Sequence, residues 1–325
     1  GGTVGYMGGS KSAASDTLIT GEDVFSMGTI TVKGCTNNAD VTSMRTASSH
    51  GTAGGICSTV NIKDSTDGAI VFEGNTNNGD TVGYFSAGIL ASSFADKDTP
   101  ADVRLEILGN TNTGDIEVNS AISSPLETPT AVGITVGTVG ARTGCSAVLR
   151  GNVNRGTVTA SVEKGVAAGI SGSIYPTTRF EGTNANYGAI SGTSQAAGIV
   201  TNCFGAELTG LVNGGTVTAT GTVTYTQTNE GDSVTVDGPR AGGIVATIGN
   251  SGLTGGSLDG STCSNTGNVS VPSASESPFV GSLAGYVGIA TVKNVEDAGA
   301  IGAVRVTGND SYTTTLDRVQ VDKLN

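Results

Sequence analysis

Gly-Asn-Thr-Asn-Asn-Gly-Asp, at Gly74 to Asp80, is the stretch on which the fold turns. It returns as Gly-Asn-Thr-Asn-Thr-Gly-Asp-Ile at Gly109 to Ile116 and as Gly-Asn-Val-Asn-Arg-Gly-Thr-Val at Gly151 to Val158. Weaker copies are Asn186-Tyr-Gly-Ala-Ile190, Asn213-Gly-Gly-Thr-Val217, Asn265-Thr-Gly-Asn-Val269 and Asp297-Ala-Gly-Ala-Ile301, with a degenerate first copy at Asn37-Asn-Ala-Asp-Val41. The shared core is Asn-x-Gly-x-(Val/Ile), present eight times at intervals of roughly 27 to 52 residues. A second signature alternates with it. This is Ala-Gly-Gly-Ile at Ala53 to Ile56 and Ala241 to Ile244, shortened to Ala87-Gly-Ile89, Ala168-Gly-Ile170 and Ala197-Gly-Ile199, with Ala131-Val-Gly-Ile134 as a variant. Repeats of this length mark a solenoid, a propeller or an array.

Composition narrows the choice. Of 325 residues 52 are Gly; Trp is absent, aromatics make 4% and charged residues 14%. Disorder pairs low hydrophobicity with high charge, whereas this chain is 36% apolar. Collagen needs a strict Gly-X-Y period and abundant Pro; only 7 Pro are present. Small apolar residues, Thr, Gly and Asn suit short strands joined by tight turns. Sixteen basic against 28 acidic residues, a net charge of -12, argue against nucleic acid, which is held by clustered Lys and Arg, and against anionic lipid. No apolar run reaches about 18 residues, so membrane insertion is not expected. The opening Gly-Gly-Thr-Val-Gly shows no signal peptide, as expected of a processed chain or an excised segment.

From Cys35 to about Ile301 the pattern is continuous, with no stretch of good helical period. We therefore expect an all-β protein, a right-handed parallel β-solenoid (β-helix) of about eight irregular coils over residues 1–303, roughly 40 Å long. Lys97 to Asp102 and Ser123 to Thr130 read as surface loops. The longest insertion, about 220–238, reads as a hairpin of Thr222–Thr226 and Ser233–Val236 joined by Asn229 to Asp232. Residues 304–325 form a polar tail, an edge strand or cap.

In such a stack, identical asparagines one coil apart can hydrogen-bond along the axis as a ladder. Asn37, Asn77, Asn112, Asn154, Asn186, Asn213 and Asn265 are its expected rungs, with Asp297 ending the series. Gly79, Gly114, Gly156, Gly188, Gly215, Gly267 and Gly299 are expected to supply turn angles closed to other residues. Ala-Gly-Ile would form a second corner where small residues let coils approach.

The alternation of Ala-Gly-Gly-Ile with Cys/Gly-x-x-Asn-x-Gly-x-Val resembles the GLUG-type repeats of bacterial surface and adhesin-like proteins, over nearly the whole chain. The resemblance implies a secreted or cell-surface β-solenoid with an adhesive or structural role, and carries no catalytic residues. Unequal intervals and the long insertion depart from a regular array.

Little in the chain suggests catalysis, and we expect no enzyme. His50, the only His, lies among serines but reads as an inert loop residue. Glycoside hydrolysis needs two acids about 5–9.5 Å apart; Glu106 with Asp115, or Asp80 with Asp115, read instead as turn residues. No cofactor is expected. Asp40, Asp80 and Asp115 share one repeat position and are the weak calcium candidates, since stacked carboxylates repel and oxygen ligands suit Ca²⁺; the plainer reading places each in solvent at a turn. Thr216 to Thr220 could offer a flat ice- or glycan-binding face, though Thr is a common surface strand residue. Asn268-Val-Ser270 and Asn309-Asp-Ser311 are sequons.

The five cysteines, Cys35, Cys57, Cys145, Cys203 and Cys263, lack CxxC spacing and read as buried hydrophobes. Coils two apart lie roughly 10 Å from each other, beyond disulfide reach, so Cys35 with Cys57 is the one bridge worth testing. Finally, Gly5-Tyr-Met-Gly8 matches Gly285-Tyr-Val-Gly288 near the far end, and no capping helix precedes it. The expectation is an extracellular or cell-surface structural subunit that stacks head to tail on itself; the alternative is an adhesin or glycan-binding module of a longer surface protein.

Overall fold

The computed structural model describes residues 2–8, 25–44, 51–62, 65–95, 102–118, 128–138, 145–221, 225–229, 232–236, 238–249, 255–272, 278–288, 290–295 and 315–316. Among these there is strand and turn but no helix. The chain is a parallel β-solenoid.

One coil shows the plan. Val103–Leu108 lies on face 1, Thr111–Asn112 on face 2, Ile116–Val118 on face 3, Thr130–Val132 on face 4 and Thr135–Gly137 on face 5. The next coil repeats it with Ser146–Arg150, Val153–Asn154, Val158–Ala160, Val166–Ala168 and Ser171–Ile174. Each strand pairs in parallel with its equivalents above and below, so the faces become sheets of five, seven, seven, seven and eight strands. In the last coils a four-stranded parallel sheet takes the place of face 1 in the repeat; it contains Glu207–Leu208, Ser257–Asp259, Thr291–Lys293 and Thr315–Leu316. The 220–238 insertion contains an antiparallel pair, Tyr225–Asn229 with Asp232–Val236, emerging between face 3 and face 4. Thr130, taken from sequence as the end of a loop, opens a face-4 strand.

Two interior columns follow from the register. On face 1 alternate side chains point inward, and parallel pairing puts like on like: Val32, Phe72, Ile107 and Leu149 stack in one file. The isoleucines of the second signature, Ile56, Ile89, Ile134, Ile170, Ile199 and Ile244, are fully buried in the same compartment. The second, narrower compartment lies between faces 3 and 4. There Ile116, Val158, Ile190 and Val217, the last residues of the asparagine signature, meet Ala131, Ala167, Ala196 and Ala241 of the other signature. Face 4 contributes mostly small side chains here, with Ser86 and Val280 at other positions of the alanine column. The low aromatic content follows from these narrow columns.

No cysteine is bridged, Cys35 and Cys57 included. Cys57, Cys145, Cys203 and Cys263 are buried and Cys35 is half-buried. Burial pushes the Cys57 thiol up to about 11 and the Cys203 thiol up to about 12, and it raises Cys263 as well. A thiol must ionise to react. We therefore expect a thiol-reactive disulfide reagent at neutral pH to label one cysteine, Cys35, in the native protein and all five after denaturation. Fast labelling of two or more native thiols would contradict this packing.

Candidate functional site

Every asparagine expected in the ladder and present among the described residues is in it. Asn37 Nδ2 donates to Asn77 Oδ1 at 2.8 Å, Asn77 to Asn112 at 2.8 Å, and Asn112 to Asn154 at 2.8 Å. The chain of bonds continues through Asn186 at 2.7 Å, Asn213 at 2.8 Å and Asn265 at 2.7 Å. Sequence separations of 27 to 52 residues leave these distances unchanged, because the extra residues leave the stack between strands. The second hydrogen of each amide donates to a carbonyl two residues on, as in Asn112 to Gly114 O at 2.8 Å. Asp297 and Gly299 lie outside the described residues.

Beside it runs a second ladder that the sequence reading missed. Asn75 Nδ2 donates to Asn110 Oδ1 at 2.9 Å, Asn110 to Asn152 at 3.1 Å and Asn152 to Asn184 at 3.0 Å. Each of these oxygens also accepts the backbone N–H of the preceding rung, as in Asn75 N to Asn110 Oδ1 at 3.0 Å. The signal was present: the first Asn of Gly-Asn-Thr-Asn recurs at the same intervals as the second. Cys35, Leu211 and Cys263 stand in this position in the other coils, which explains why two cysteines fall two residues before a ladder Asn.

The motif glycines serve a different purpose from the one expected. Gly79, Gly114, Gly156, Gly188, Gly215 and Gly267 are absent from the positive-φ positions. What each needs is space: a Cβ on Gly156 would lie 1.9 Å from the carbonyl oxygen of Gly114, and one on Gly188 would lie 1.9 Å from that of Gly156. The left-handed turn falls to the glycine that opens the motif, with φ of 61° at Gly74 and Gly109 and 65° at Gly151. The second signature is small for a related reason. A Cβ on Gly88 would meet Asn112 Cγ at 2.5 Å, and one on Gly133 would meet Asn154 Cγ at 2.4 Å. The two signatures thus face each other across the interior, glycine against asparagine.

Asp40, Asp80 and Asp115 stack at the surface. Asp80 N donates to Asp40 Oδ1 at 3.0 Å, Asp115 N to Asp80 Oδ1 at 2.8 Å and Thr157 N to Asp115 Oδ1 at 2.9 Å. Each carboxylate therefore uses an oxygen to hold the next coil. Among the described residues no group of three or more His, Cys, Asp or Glu is placed to hold a metal ion. Glu106 is on face 1 with its carboxylate 3.2 Å from Arg104 Nε, and His50 lies outside the described residues.

A sizeable cleft lies between faces 4 and 5, which form the two arms of a V. It encloses about 430 Å³. Phe85, Thr130 and Val166 line one arm; Ser92, Gly137 and Ser173 line the other, with Tyr175 just beyond. In the coils after Phe85 these columns carry Thr130 and Val166 opposite Gly137 and Ser173. In the later coils the same columns carry Gln195, Arg240 and Phe279 opposite Asn202, Thr247 and Tyr286. There the Arg240 guanidinium lies 4.1 Å from the centre of the Tyr286 ring and 5.6 Å from that of Phe279, and Nη1 donates to Thr247 Oγ1 at 2.9 Å. This cluster closes the V beyond Asn202. Asn202 is 5% exposed and lines the closed end of the cleft. Its Oδ1 has no hydrogen-bond partner among the described residues.

Fold and ladders together define a parallel β-solenoid held by axial asparagine ladders. No family model, curated protein or solved structure matches the chain.

Proposed function

We propose that this protein is an extracellular structural subunit whose solenoid stacks head to tail on further copies of itself, giving a filament or surface fibre. The observation that carries the reading is the polarity of the main ladder. All its inter-coil bonds run from Nδ2 to Oδ1 in one direction, so among the described residues the series begins on an acceptor at Asn37 and reaches a donor at Asn265. A second copy stacked in the same sense presents a column of the same polarity. The flanking strands support the reading as well. Among the described strands Val4–Gly8 and Ala284–Val287 are the two edges of face 5, and Tyr6 and Tyr286 fall in the same column of that face. Edge strands present unpaired backbone groups that template another strand, and a heterologous contact that does not close on itself propagates. The two alternating signatures, which resemble GLUG-type repeats, accord with a surface location.

Electron microscopy of the purified protein across a concentration series tests this. We expect unbranched filaments with an axial repeat of about 40 Å, from eight face-5 strands at about 4.8 Å each. Isolated particles at every concentration would overturn it and favour a module within a longer surface protein.

A further inference from the structure

We propose that the cleft between faces 4 and 5 binds a short uncharged saccharide. Three features of its lining select that chemistry. First, none of the described residues that line it is charged, so among them a carboxylate, sulfate or phosphate would find no counter-charge. Stripping an ion of water without pairing it is among the most costly changes in a protein.

Second, the hydrogen-bonding surface is rich in acceptors. Ser93 Oγ donates to Gly137 O at 3.0 Å, Thr130 Oγ1 to Thr128 O at 2.9 Å, and Thr201 Oγ1 to Gly172 O. A hydroxyl has one proton and two lone pairs. With their protons held by main-chain carbonyls, these groups offer a ligand only acceptor positions. Asn202 Oδ1 adds another, and it is buried and without a partner among the described residues. A buried acceptor left unpaired costs about 1–3 kcal/mol. A ligand that brings its own donors relieves that cost, and a polyol is the neutral ligand richest in them.

Third, the half-buried rings of Phe85 and Tyr175 stand on opposite arms of the V, where they can cover the apolar C–H faces of a sugar ring. Tyr175 is held by stacking on Phe204, with centroids 5.6 Å apart, and Phe85 packs edge-on against Tyr84 at 4.9 Å. The volume of about 430 Å³ lies within the usual range for small-ligand sites. Adjacent rungs of the face-5 arm repeat at about 4.8 Å, close to the spacing of units along a sugar chain, and its column presents Ser92, Ser173 and Asn202 to the cleft.

This site is on the flank of the middle coils and does not depend on head-to-tail stacking. The test titrates the whole protein by calorimetry with cellotriose, chitotriose and maltotriose, and with trigalacturonate as the charged probe. At least one neutral trisaccharide is expected to bind, and trigalacturonate is not. Asn202→Leu should weaken binding about tenfold, the loss expected for one buried hydrogen bond. Ser173→Tyr, a half-buried position at the cleft wall, should abolish binding while leaving the melting temperature unchanged. The proposal is overturned if no neutral sugar binds, if the charged probe binds as well, or if Ser173→Tyr, still folded, binds like the parent. Sedimentation of the same samples keeps the two readings apart: sugar binding without assembly defeats only the filament, and assembly without sugar binding defeats only the cleft.

Discussion

Gly156→Ala will destabilise the protein by about 3 kcal/mol or more, the upper end of overpacking costs, whereas Gly109→Ala will cost about 1–2 kcal/mol, the penalty for an L-residue in the left-handed region. The two glycines sit in the same motif but are glycine for different reasons. At Gly109 φ is 61° and an added Cβ meets nothing within 4 Å, so only the backbone conformation opposes alanine. At Gly156 the Cβ would lie 1.9 Å from Gly114 O, 2.7 Å from Gly114 C and 3.0 Å from Asn112 Nδ2. None of these atoms can yield cheaply. Gly114 O is the acceptor for Asn112 Nδ2, and Asn112 Nδ2 also holds Asn154. Making room means separating two coils and stretching both bonds. Chemical denaturation of the two variants measures the difference, and hydrogen exchange locates it, since a stack of repeats can open locally. Equal effects of the two substitutions would refute the distinction.

The second large effect is expected at Asn112. Replacing it with leucine keeps the volume roughly constant but strands three groups in the interior. Asn77 Nδ2 loses its acceptor, Asn154 Oδ1 loses its donor and Gly114 O loses the Asn112 amide. Both ladder neighbours are fully buried. At about 1–3 kcal/mol for each group left unsatisfied, the loss should be about 3 kcal/mol or more. Asn78→Ala is the control. Asn78 also bonds from coil to coil, donating to Asn38 at 2.8 Å and accepting from Thr113 at 2.8 Å, but on the exposed surface. Water replaces those bonds, so the cost should stay below about 1 kcal/mol. If Asn112→Leu unfolds at the same denaturant concentration as Asn78→Ala, the buried ladder is not what holds the coils in register.

The asparagine ladder was legible because axial stacking demands the same side chain at the same place in every coil, and such a demand leaves a visible recurrence. The first Asn of Gly-Asn-Thr-Asn, which forms the second ladder, recurs as visibly but in fewer coils. Its four consecutive rungs are bounded by Cys35 on one side and by Leu211 and Cys263 on the other, so its recurrence is shorter. The role of Gly156 and its equivalents was misread because a turn needing positive φ and a close approach between coils both select glycine. Only the neighbouring coil tells them apart. The cleft was not legible at all. Its lining is small hydroxyl residues, common throughout this chain, and what makes it a site is that Thr130 and Val166 stand opposite Gly137 and Ser173 while Arg240 closes the next rungs.

The sequence by itself determined that the chain coils and which positions stack, because parallel pairing one coil apart converts a repeated residue into a repeated contact. It also pointed to short strands joined by tight turns, through its small apolar residues, Thr, Gly and Asn. The tertiary structure alone decided that the glycine of one signature lies against the asparagine of the other and that two arms of the coil diverge far enough to leave a cleft. Those are relations between faces of the coil. They depend on the angle at each corner, which short Gly-rich turns leave to packing.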